Sequence, residues 1–374
     1  MSTISLPQLK GHKLLTHSRM ACFKRCPREH FYRYELGIRP AGDTAPLRMG
    51  SIIHEAIDFY ARGVSVEAII EGVAKKYDER VAELEGADID TLVAVDVERV
   101  TVIELVWAYF QVWKYDYTTG EVPNLTPVEC IASERAFKLP ILNPVTNKPT
   151  ASFIEAGKMD GIVRLADGRV ALKETKTTGD SIDDSSDYWR KLRLDHQISM
   201  YVDAGNRLGF GIETILYDVI RKPSIEPKQV PLVDDDGIKI VRDQNGERVQ
   251  NKDGSWKQAG DSAKGWTLMV RSETPPEYAE RLRADIAMRP EFYFARKEIP
   301  RLSSDLAEFR EELWQQQQAI REAQKHGRWY RNTAACSAMG RCSFLDICHA
   351  GIKADDPPAG FKRVDDIHPE LTGD

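Results

Sequence analysis

The chain has 374 residues, 42% hydrophobic and 29% charged, which is typical of a folded protein with one large domain or two. Its net charge of −6 argues against a general polyanion-binding surface, so any contact with nucleic acid must come from local basic patches. The absence of a membrane-spanning apolar segment and of a signal-peptide core at residues 1–15 predicts a cytoplasmic protein with no membrane partner.

The first part of the chain is predicted to be helical. Residues 1–17 are expected to form a loose arm, and residues 18–36 a helix capped by Ser18. Pro27 interrupts this helix and leaves Cys26 at the joint. Residues 49–62 form a further helix, with His54 and Glu55 in its first turns, and helices over 65–85 and 90–116 follow.

A β-hairpin over residues 153–176 is the centre of the functional argument. Two alternating runs, 153–165 and 169–175, flank an Asp-Gly turn, and residues 127–139 are predicted to form a strand before them, with Cys130 facing the core. Asp160 lies in the first run, and Glu174 and Lys176 leave the second on one face. Two carboxylates and a lysine at a sheet edge suit a divalent cation and a developing phosphate charge, although the same residues also occur as solvated surface charge.

Residues 189–208 are predicted to form one helix, which places Gln197 and Tyr201 on one face because they are four residues apart. Its start is basic and aromatic, which suits a phosphate backbone or a stacked base as well as it suits a solvated helix face. The candidate DNA-binding residues there are Trp189, Arg190, Lys191 and Arg193.

The remaining segments alternate between short strands and helices. Strands are predicted at 213–220, 266–271 and 291–295, and helices at 275–288 and 304–326. Residues 223–265 are polar and rich in Asp-Gly and Asn-Gly turns, which predicts an inserted hairpin region or a mobile flap. We identify no internal repeat.

Three cysteines near the C-terminus, Cys336, Cys342 and Cys348, are separated by five residues each. Such a group in a cytoplasmic chain indicates zinc or an iron–sulfur cluster, and both need a fourth ligand. Cys26 is the first candidate, Cys22 the second and His349 the third. A site of this kind would join the first helix to the C-terminal segment and restrict the unfolded chain.

The order of these motifs resembles the RecB-like branch of the PD-(D/E)XK nuclease superfamily. Within that branch it is similar to iron–sulfur nucleases such as AddB-type subunits and CRISPR-adaptation exonucleases. The resemblance covers residues 18–348 except the 223–265 insertion, and one difference is the spacing of the first two C-terminal cysteines, which the family more often separates by two residues. The matching motifs are Cys26-Pro27 with Phe31 to Tyr34, Gly50-x3-His54-Glu55, Gly157-x-x-Asp160, Glu174-x-Lys176-Thr177, Gln197-x3-Tyr201 and the three cysteines.

The resemblance implies an α/β fold with a mixed central sheet flanked by helices, a restriction-endonuclease-like core and an iron–sulfur latch. It implies that His54, Asp160, Glu174 and the carbonyl of Thr175 bind Mg²⁺ or Mn²⁺. Lys176 would then position the attacking water, and Gln197 and Tyr201 would orient the lysine or the DNA backbone. The implied ligands of a [4Fe-4S] cluster are Cys26, Cys336, Cys342 and Cys348, with zinc as the alternative metal.

We therefore expect a metal-dependent DNA exonuclease for recombination, repair or end processing in a bacterium or phage, and a non-catalytic DNA-binding or scaffolding subunit is the alternative. No Walker-type motif is present, so a helicase or recombinase partner would be a separate protein. The expected organisation is an arm over 1–17, a nuclease domain over 18–350 and a tail over 351–374. Within the domain we expect a helical part over 49–116, a catalytic core over 127–221, the insertion over 223–265 and the C-terminal helices with the cysteines over 303–350.

Overall fold

The computed structural model describes residues 10–114, 125–338, 340–351 and 357–371. These residues form two compact units, and the domain predicted over 18–350 contains parts of both. Unit 1 takes its described residues from Met1–Gly63, Tyr115–Ile220 and Phe294–Asp374. Unit 2 takes its described residues from Val64–Lys114 and Arg221–Tyr293.

The described residues form helices and strands in the following chain order. In order they are β1 Leu14–Leu15, α1 His17–Arg25, α2 Pro27–His30, β2 Ile38–Pro40, α3 Ala45–Ala61, α4 Val66–Glu83, α5 Ile89–Val112, β3 Pro127–Leu142, β4 Pro149–Leu165, β5 Val170–Thr178, α6 Asp187–Arg193, α7 His196–Arg207 and β6 Thr214–Arg221. The second half continues with β7 Gln229–Pro231, β8 Val241–Arg242, β9 Thr267–Leu268, β10 Val270–Ser272, α8 Pro275–Met288, α9 Pro290–Tyr293, β11 Phe294–Glu298, α10 Ser303–His326, α11 Leu345–Ala350 and β12 Phe361–Arg363.

Unit 1 is built on a mixed sheet, which confirms the predicted α/β class. The strand order is β1-β4-β5-β6-β11, and β3 also pairs with β4. β1 runs parallel to β4, whereas the β3–β4, β4–β5 and β6–β11 pairs are antiparallel. Apolar side chains of α1, α7 and α10, including Met20, Ile198 and Leu313, share one core with Met159 and Leu172 of the sheet. α3 lies against β3 and β5, where it positions His54.

The two ends of unit 1 pack together. The first helix breaks at Pro27, as predicted, but Thr16 rather than Ser18 caps it, because the Thr16 hydroxyl accepts the N–H of Arg19 at 3.2 Å. Trp329 packs against the rings of Phe23, His30 and Phe31 at centroid distances of 6.3, 5.3 and 5.6 Å. The N- and C-terminal parts of unit 1 are therefore joined by aromatic packing.

The described residues of the predicted arm and of the predicted tail take part in strand pairing. Leu15 is fully buried in β1, so the loose arm does not extend to residue 17. In the predicted tail, β12 pairs with β2, and His368 is buried with its ring stacked on that of Tyr34. Residues 1–9, 352–356 and 372–374 of these predictions lie outside the described residues.

Two further predictions about the elements of unit 1 are wrong. The helix expected over 189–208 is two helices, because Asp195 starts a new one by accepting the N–H of Gln197 at 2.8 Å. Cys130, which we expected to face the core, is exposed on β3.

Unit 2 contains α4, α5, α8 and α9 together with the predicted insertion. α5 packs against both α4 and α8, and its predicted extension to residue 116 reaches beyond the described residues. None of the helices in the described ranges combines the length and the apolar character that crossing a bilayer requires.

The insertion contains an internal repeat, contrary to our expectation. Three consecutive segments fold into the same turn, in which an N–H bonds back to the carbonyl eight residues earlier at 2.9 to 3.0 Å. Each turn has an Asp or Asn at its third position and a glycine at its sixth. Gly237, Gly246 and Gly254 adopt φ angles of 77°, 82° and 85°, a region that favours glycine. The segments are LVDDDGIKI from Leu232, VRDQNGERV from Val241 and VQNKDGSWK from Val249.

Candidate active site

The candidate site lies where strands β4 and β5 separate. Their pairing runs as far as Gly161 and Lys173. Beyond that pair, the Asp160 carboxylate accepts the backbone N–H of Thr175 at 2.9 Å. The Asp160 side chain thus accepts a strand N–H in place of a backbone carbonyl. This hydrogen bond fixes Asp160 beside the β5 residues that follow.

Glu174 and Lys176 lie on one face of β5, as their spacing predicts. The Lys176 ammonium donates to Glu174 Oε1 and to Gln197 Oε1, each at 2.7 Å. The Gln197 amide in turn donates to the Tyr201 hydroxyl at 3.1 Å. The structure therefore brings together the E-x-K pair of β5 and the Gln-x3-Tyr pair of α7.

His54 reaches the site from α3, with its Nδ1 3.5 Å from Asp160 Oδ2. The helix approaches β5 closely at Gly50, where an added Cβ would lie 3.1 Å from the Thr177 hydroxyl oxygen. The glycine one turn before His54 therefore permits the approach that places the imidazole beside Asp160.

Gly157 has a similar spacing role for Tyr201. A Cβ at Gly157 would lie 2.8 Å from both the Phe137 ring and the Tyr201 ring, closer than real Cβ atoms approach other atoms. The glycine three residues before Asp160 therefore leaves the space that the Tyr201 ring occupies.

The two carboxyl groups are strongly perturbed. Burial raises the pKa of Asp160 to about 6, and burial together with the nearby Asp160 charge raises the pKa of Glu174 to about 7. Burial lowers the pKa of Lys176, but the charges of Glu174 and Asp195 outweigh it and give a net upward shift. Burial lowers the pKa of His54, which favours the neutral imidazole. The site thus holds two carboxyl groups that repel each other when ionised.

The donor set suits a divalent cation. Glu174 Oε2 is buried and has no hydrogen-bond partner among the described residues, although a buried carboxylate oxygen normally has one. Two carboxylates and a neutral imidazole are ligands that Mg²⁺ and, with the histidine, Mn²⁺ accept. In the present side-chain positions, no three or more His, Cys, Asp or Glu residues of the described ranges are grouped so as to hold one ion. Binding would therefore need small side-chain movements.

Two further acids at the site were not predicted. Asp195 Oδ2 lies 3.8 Å from the Lys176 ammonium, and its position just before the Gln-x3-Tyr helix was a usable helix-capping signal. Glu134 lies between the β3 residues that pair with Gly161 and Met159, and therefore opposite Asp160. Its φ of 49° is unusual for a residue other than glycine, and no signal in the sequence indicates it.

Only part of the predicted DNA-binding patch is exposed at the surface. Trp189 is 7% exposed and packs in the core, with its indole N–H donating to the Ile182 carbonyl at 3.0 Å, so it is not available to stack on a base. The helix periodicity did not show which face is buried. Arg190, Lys191 and Arg193 are exposed and remain candidate phosphate contacts.

The four predicted cluster ligands lie in the packed region that joins the ends of unit 1. The backbone N–H of Asn332 donates to Cys26 Sγ at 3.5 Å, and the neighbouring Arg331 guanidinium donates to Cys348 Sγ at 3.2 Å. Cys26, Cys336, Cys342 and Cys348 are free thiols with intermediate exposure. Cys22 is buried, and burial raises its pKa to about 12, which argues against it as a ligand.

The chain belongs to the PD-(D/E)XK nuclease superfamily, whose sequence model matches residues 14–349. A solved structure named "Putative exonuclease", from Eubacterium rectale, aligns with 93% of this chain and 92% of its own at 10% identity, with a TM-score of 0.38. A likeness of that degree carries no conclusion about activity. No curated protein matches the chain significantly. Membership of the superfamily makes the protein a nuclease by class, and DNA is the substrate that this class implies.

Proposed function

We propose that the protein is a Mg²⁺- or Mn²⁺-dependent deoxyribonuclease that degrades DNA from its ends. Its role would be in recombination, repair or end processing in a bacterium or phage, with a separate helicase or recombinase as a candidate partner. The observation that carries the proposal is the hydrogen-bonded set of Glu174, Lys176 and Gln197 beside Asp160, in a chain of nuclease class.

Each side chain has a physical role in this proposal. Asp160, Glu174 and His54 would hold the cation, with the Thr175 carbonyl as a further ligand. A bound divalent cation supplies a more acidic water and neutralises charge on the phosphodiester. The Lys176 ammonium stays protonated because Glu174 and Asp195 raise its pKa, so it places a fixed positive charge where charge develops at phosphorus.

The helix α7 would preserve this geometry. Gln197 accepts a hydrogen bond from the Lys176 ammonium, and its own amide donates one to the Tyr201 hydroxyl. Gln197 and Glu174 therefore hold the lysine from two sides. Preorganised charges of this kind act at once on the transition state because they need not reorient.

The direct test measures hydrolysis and binding in the same preparation. Wild-type protein with Mn²⁺ or Mg²⁺ should degrade end-labelled linear single- or double-stranded DNA and leave closed circular DNA intact. Asp160→Asn and Lys176→Ala should lose activity at least roughly 100-fold and retain DNA binding. The matched controls Asp78→Asn and Lys75→Ala, at side chains 67% and 78% exposed in unit 2, should behave as wild type.

Two outcomes would replace the proposal. Cleavage of closed circles would identify an endonuclease. DNA binding with no hydrolysis under either metal, and no difference between wild type and Lys176→Ala, would identify the non-catalytic DNA-binding or scaffolding subunit.

We further propose that Cys26, Cys336, Cys342 and Cys348 bind a metal group, a [4Fe-4S] cluster or zinc. The support is their common location and the N–H donors at two of the sulfur atoms, since such hydrogen bonds are typical of metal-bound thiolates. The sulfur atoms would have to move together, because no three of them are grouped now. Anaerobic purification decides the question: visible absorption with iron supports the cluster, stoichiometric zinc supports the alternative, and neither metal rejects the site.

A further inference from the structure

A groove of about 570 Å³ lies within unit 2, in the inserted region that the resemblance to other nucleases does not cover. We call it the insertion groove. Two tryptophans line it, Trp256 from the third repeat turn and Trp266 from the short hairpin that follows. Lysine side chains and amides complete the lining, among them Lys257, Lys264, Asn251 and Gln258.

Each tryptophan ring is accompanied by cations. The Arg248 guanidinium lies 4.4 Å from the centroid of Trp256, and the ammonium groups of Lys257 and Lys264 lie 5.3 and 4.8 Å from that of Trp266. Both tryptophans remain partly exposed. Partly exposed aromatic rings beside cations are the combination that surfaces binding single-stranded nucleic acid use.

The repeat turns give this surface a fixed shape. Asp234 Oδ1 accepts the N–H groups of Asp236 and Ile238 at 3.1 and 2.8 Å, and Asp243 Oδ1 makes the equivalent bonds at 2.9 Å. Stacking the second turn on the third brings Arg248 over Trp256. The aromatic and cationic side chains are therefore displayed by a hydrogen-bonded backbone.

Nearby acids do not exclude a polyanion from the insertion groove. Asp234 pairs with Arg248 at 2.5 Å, and Asp261, which also lines the groove, pairs with Lys264 at 3.0 Å. These carboxylates pair directly with Arg248 and Lys264. The charge of Lys257 contributes less than the Ser255 hydrogen bonds to lowering the pKa of Asp253, so Lys257 is only weakly compensated and is the lining cation best placed to meet a phosphate. We therefore expect stacking to contribute most of the affinity and a phosphate contact to contribute less.

We propose that the insertion groove binds single-stranded DNA, with bases stacked on Trp256 and Trp266 and a phosphate at Lys257. Bases must be unpaired to reach two indole rings, which selects single strands over duplex. The choice of DNA rests on the proposed nuclease function, whereas the binding itself does not require cleavage.

The test uses the full chain carrying Lys176→Ala in chelating buffer, so that no probe is cleaved. Fluorescence anisotropy measures the Kd for a labelled oligothymidylate of about 20 nucleotides. The double variant Trp256→Ala with Trp266→Ala should raise this Kd about tenfold or more, the range expected for lost base stacking. Trp107→Ala, at a 39% exposed tryptophan of α5 outside the groove, is the matched control and should leave Kd unchanged. Trp256→Phe with Trp266→Phe should retain most binding, which separates stacking from misfolding.

Two more measurements complete the test. Lys257→Ala should weaken binding. It should also make the slope of the logarithm of the binding constant against the logarithm of the salt concentration shallower by roughly 0.7, since one phosphate contact is lost. Equal oligothymidylate affinity in the double alanine variant and in the Trp107→Ala control would overturn the proposal. Groove-dependent binding of a polyglutamate peptide without groove-dependent oligothymidylate binding would assign the surface to an acidic protein partner instead. Hydrolysis of DNA by protein that carries only the Lys176→Ala substitution would contradict the proposed catalytic site. It would not change the conclusion about the insertion groove.

Discussion

Gln197 accepts a hydrogen bond from the Lys176 ammonium at 2.7 Å, a contact between helix α7 and strand β5. Lys176 also donates to Glu174, so its ammonium is held by a neighbour on its own strand and by one on the helix. Because a long lysine side chain has many rotamers, two fixed acceptors define its position much better than one. The geometry of the lysine therefore depends on the packing of α7.

Gln197→Ala should lower kcat about 10- to 100-fold and change the KM for DNA little. The charge of Lys176 remains, but its position is less defined, and small misplacements of a catalytic group carry costs of this size. Steady-state kinetics on labelled DNA measure both constants. Gln318→Ala, on the exposed face of α10, should have wild-type values. An unchanged kcat in Gln197→Ala would show that Glu174 alone positions the lysine.

Gly157→Ala should impair the site through Tyr201. The added methyl group would lie 2.8 Å from the Phe137 and Tyr201 rings, so one ring must move. Overpacking of this kind typically costs about 1 to 3 kcal/mol of stability, and a displaced Tyr201 releases the Gln197 amide. Activity should therefore fall at a temperature where thermal unfolding shows the variant still folded. Gly72→Ala, at a helical glycine of unit 2 whose added Cβ would meet no described atom within 4 Å apart from its own stretch of helix, should not reduce activity.

The contribution of Asp160 and Glu174 to the stability of the metal-free protein should fall as the pH rises from about 4 to about 7. Asp160 and Glu174 have folded pKa values of about 6 and 7, above their ordinary 3.8 and 4.5, so in this interval the folded chain keeps protons that the unfolded chain has released. The part of the free energy of unfolding that these two groups contribute then falls with increasing pH. Glu174→Gln removes one of these titrations, so its Tm relative to wild type should rise across the interval.

Thermal unfolding in chelating buffer between pH 4 and pH 8 measures this difference. Glu83→Gln, at a side chain 67% exposed on α4, provides the comparison and should show a Tm difference from wild type that does not depend on pH. A Tm difference for Glu174→Gln that is flat or falls with pH would contradict the raised pKa of Glu174.

A divalent cation should reverse this destabilisation. Ions that bind only the folded state raise Tm, and protons compete with them for carboxylates. Mn²⁺ should therefore raise Tm more at pH 8 than at pH 5.5, and the double variant Asp160→Asn with Glu174→Gln should lose the effect. An equal Mn²⁺ effect in the double variant would place the ion elsewhere.

The sequence predicts the local parts of the site better than the contacts between its elements. Glu174 and Lys176 could be placed on one face because strand periodicity is strict, and the structure joins them by a hydrogen bond. Glu134 could not be found, since its position opposite Asp160 depends on the pairing of β3 with β4. Strand pairing is a non-local property that single-chain periodicity does not record.

Two other differences have equally specific physical causes. Trp189 was expected at the surface because it is next to basic residues, but its neighbours in sequence do not show which face of a short helix is covered. The repeat in the insertion was missed because its turns share only an Asp or Asn and a glycine, and they begin nine and then eight residues apart. Its regularity lies in the backbone hydrogen bonds, and few side chains encode them.

The association of the first helix with the C-terminal segment should depend on Trp329 in every case, and on the cysteines only where they bind metal. Trp329 is 6% exposed and contacts Phe23, His30 and Phe31, and truncating a buried aromatic to alanine typically costs about 3 to 5 kcal/mol. Trp329→Ala should therefore increase proteolysis in both segments together, with or without bound metal. Cys348→Ala should do so only if the purified wild-type protein contains metal, because the aromatic packing remains in that variant. Limited proteolysis followed by mass spectrometry locates the cuts, and Trp107→Ala serves as the tryptophan control. If Trp329→Ala left both segments as resistant as wild type while Cys348→Ala exposed them, the metal rather than the aromatic cluster would join the two ends.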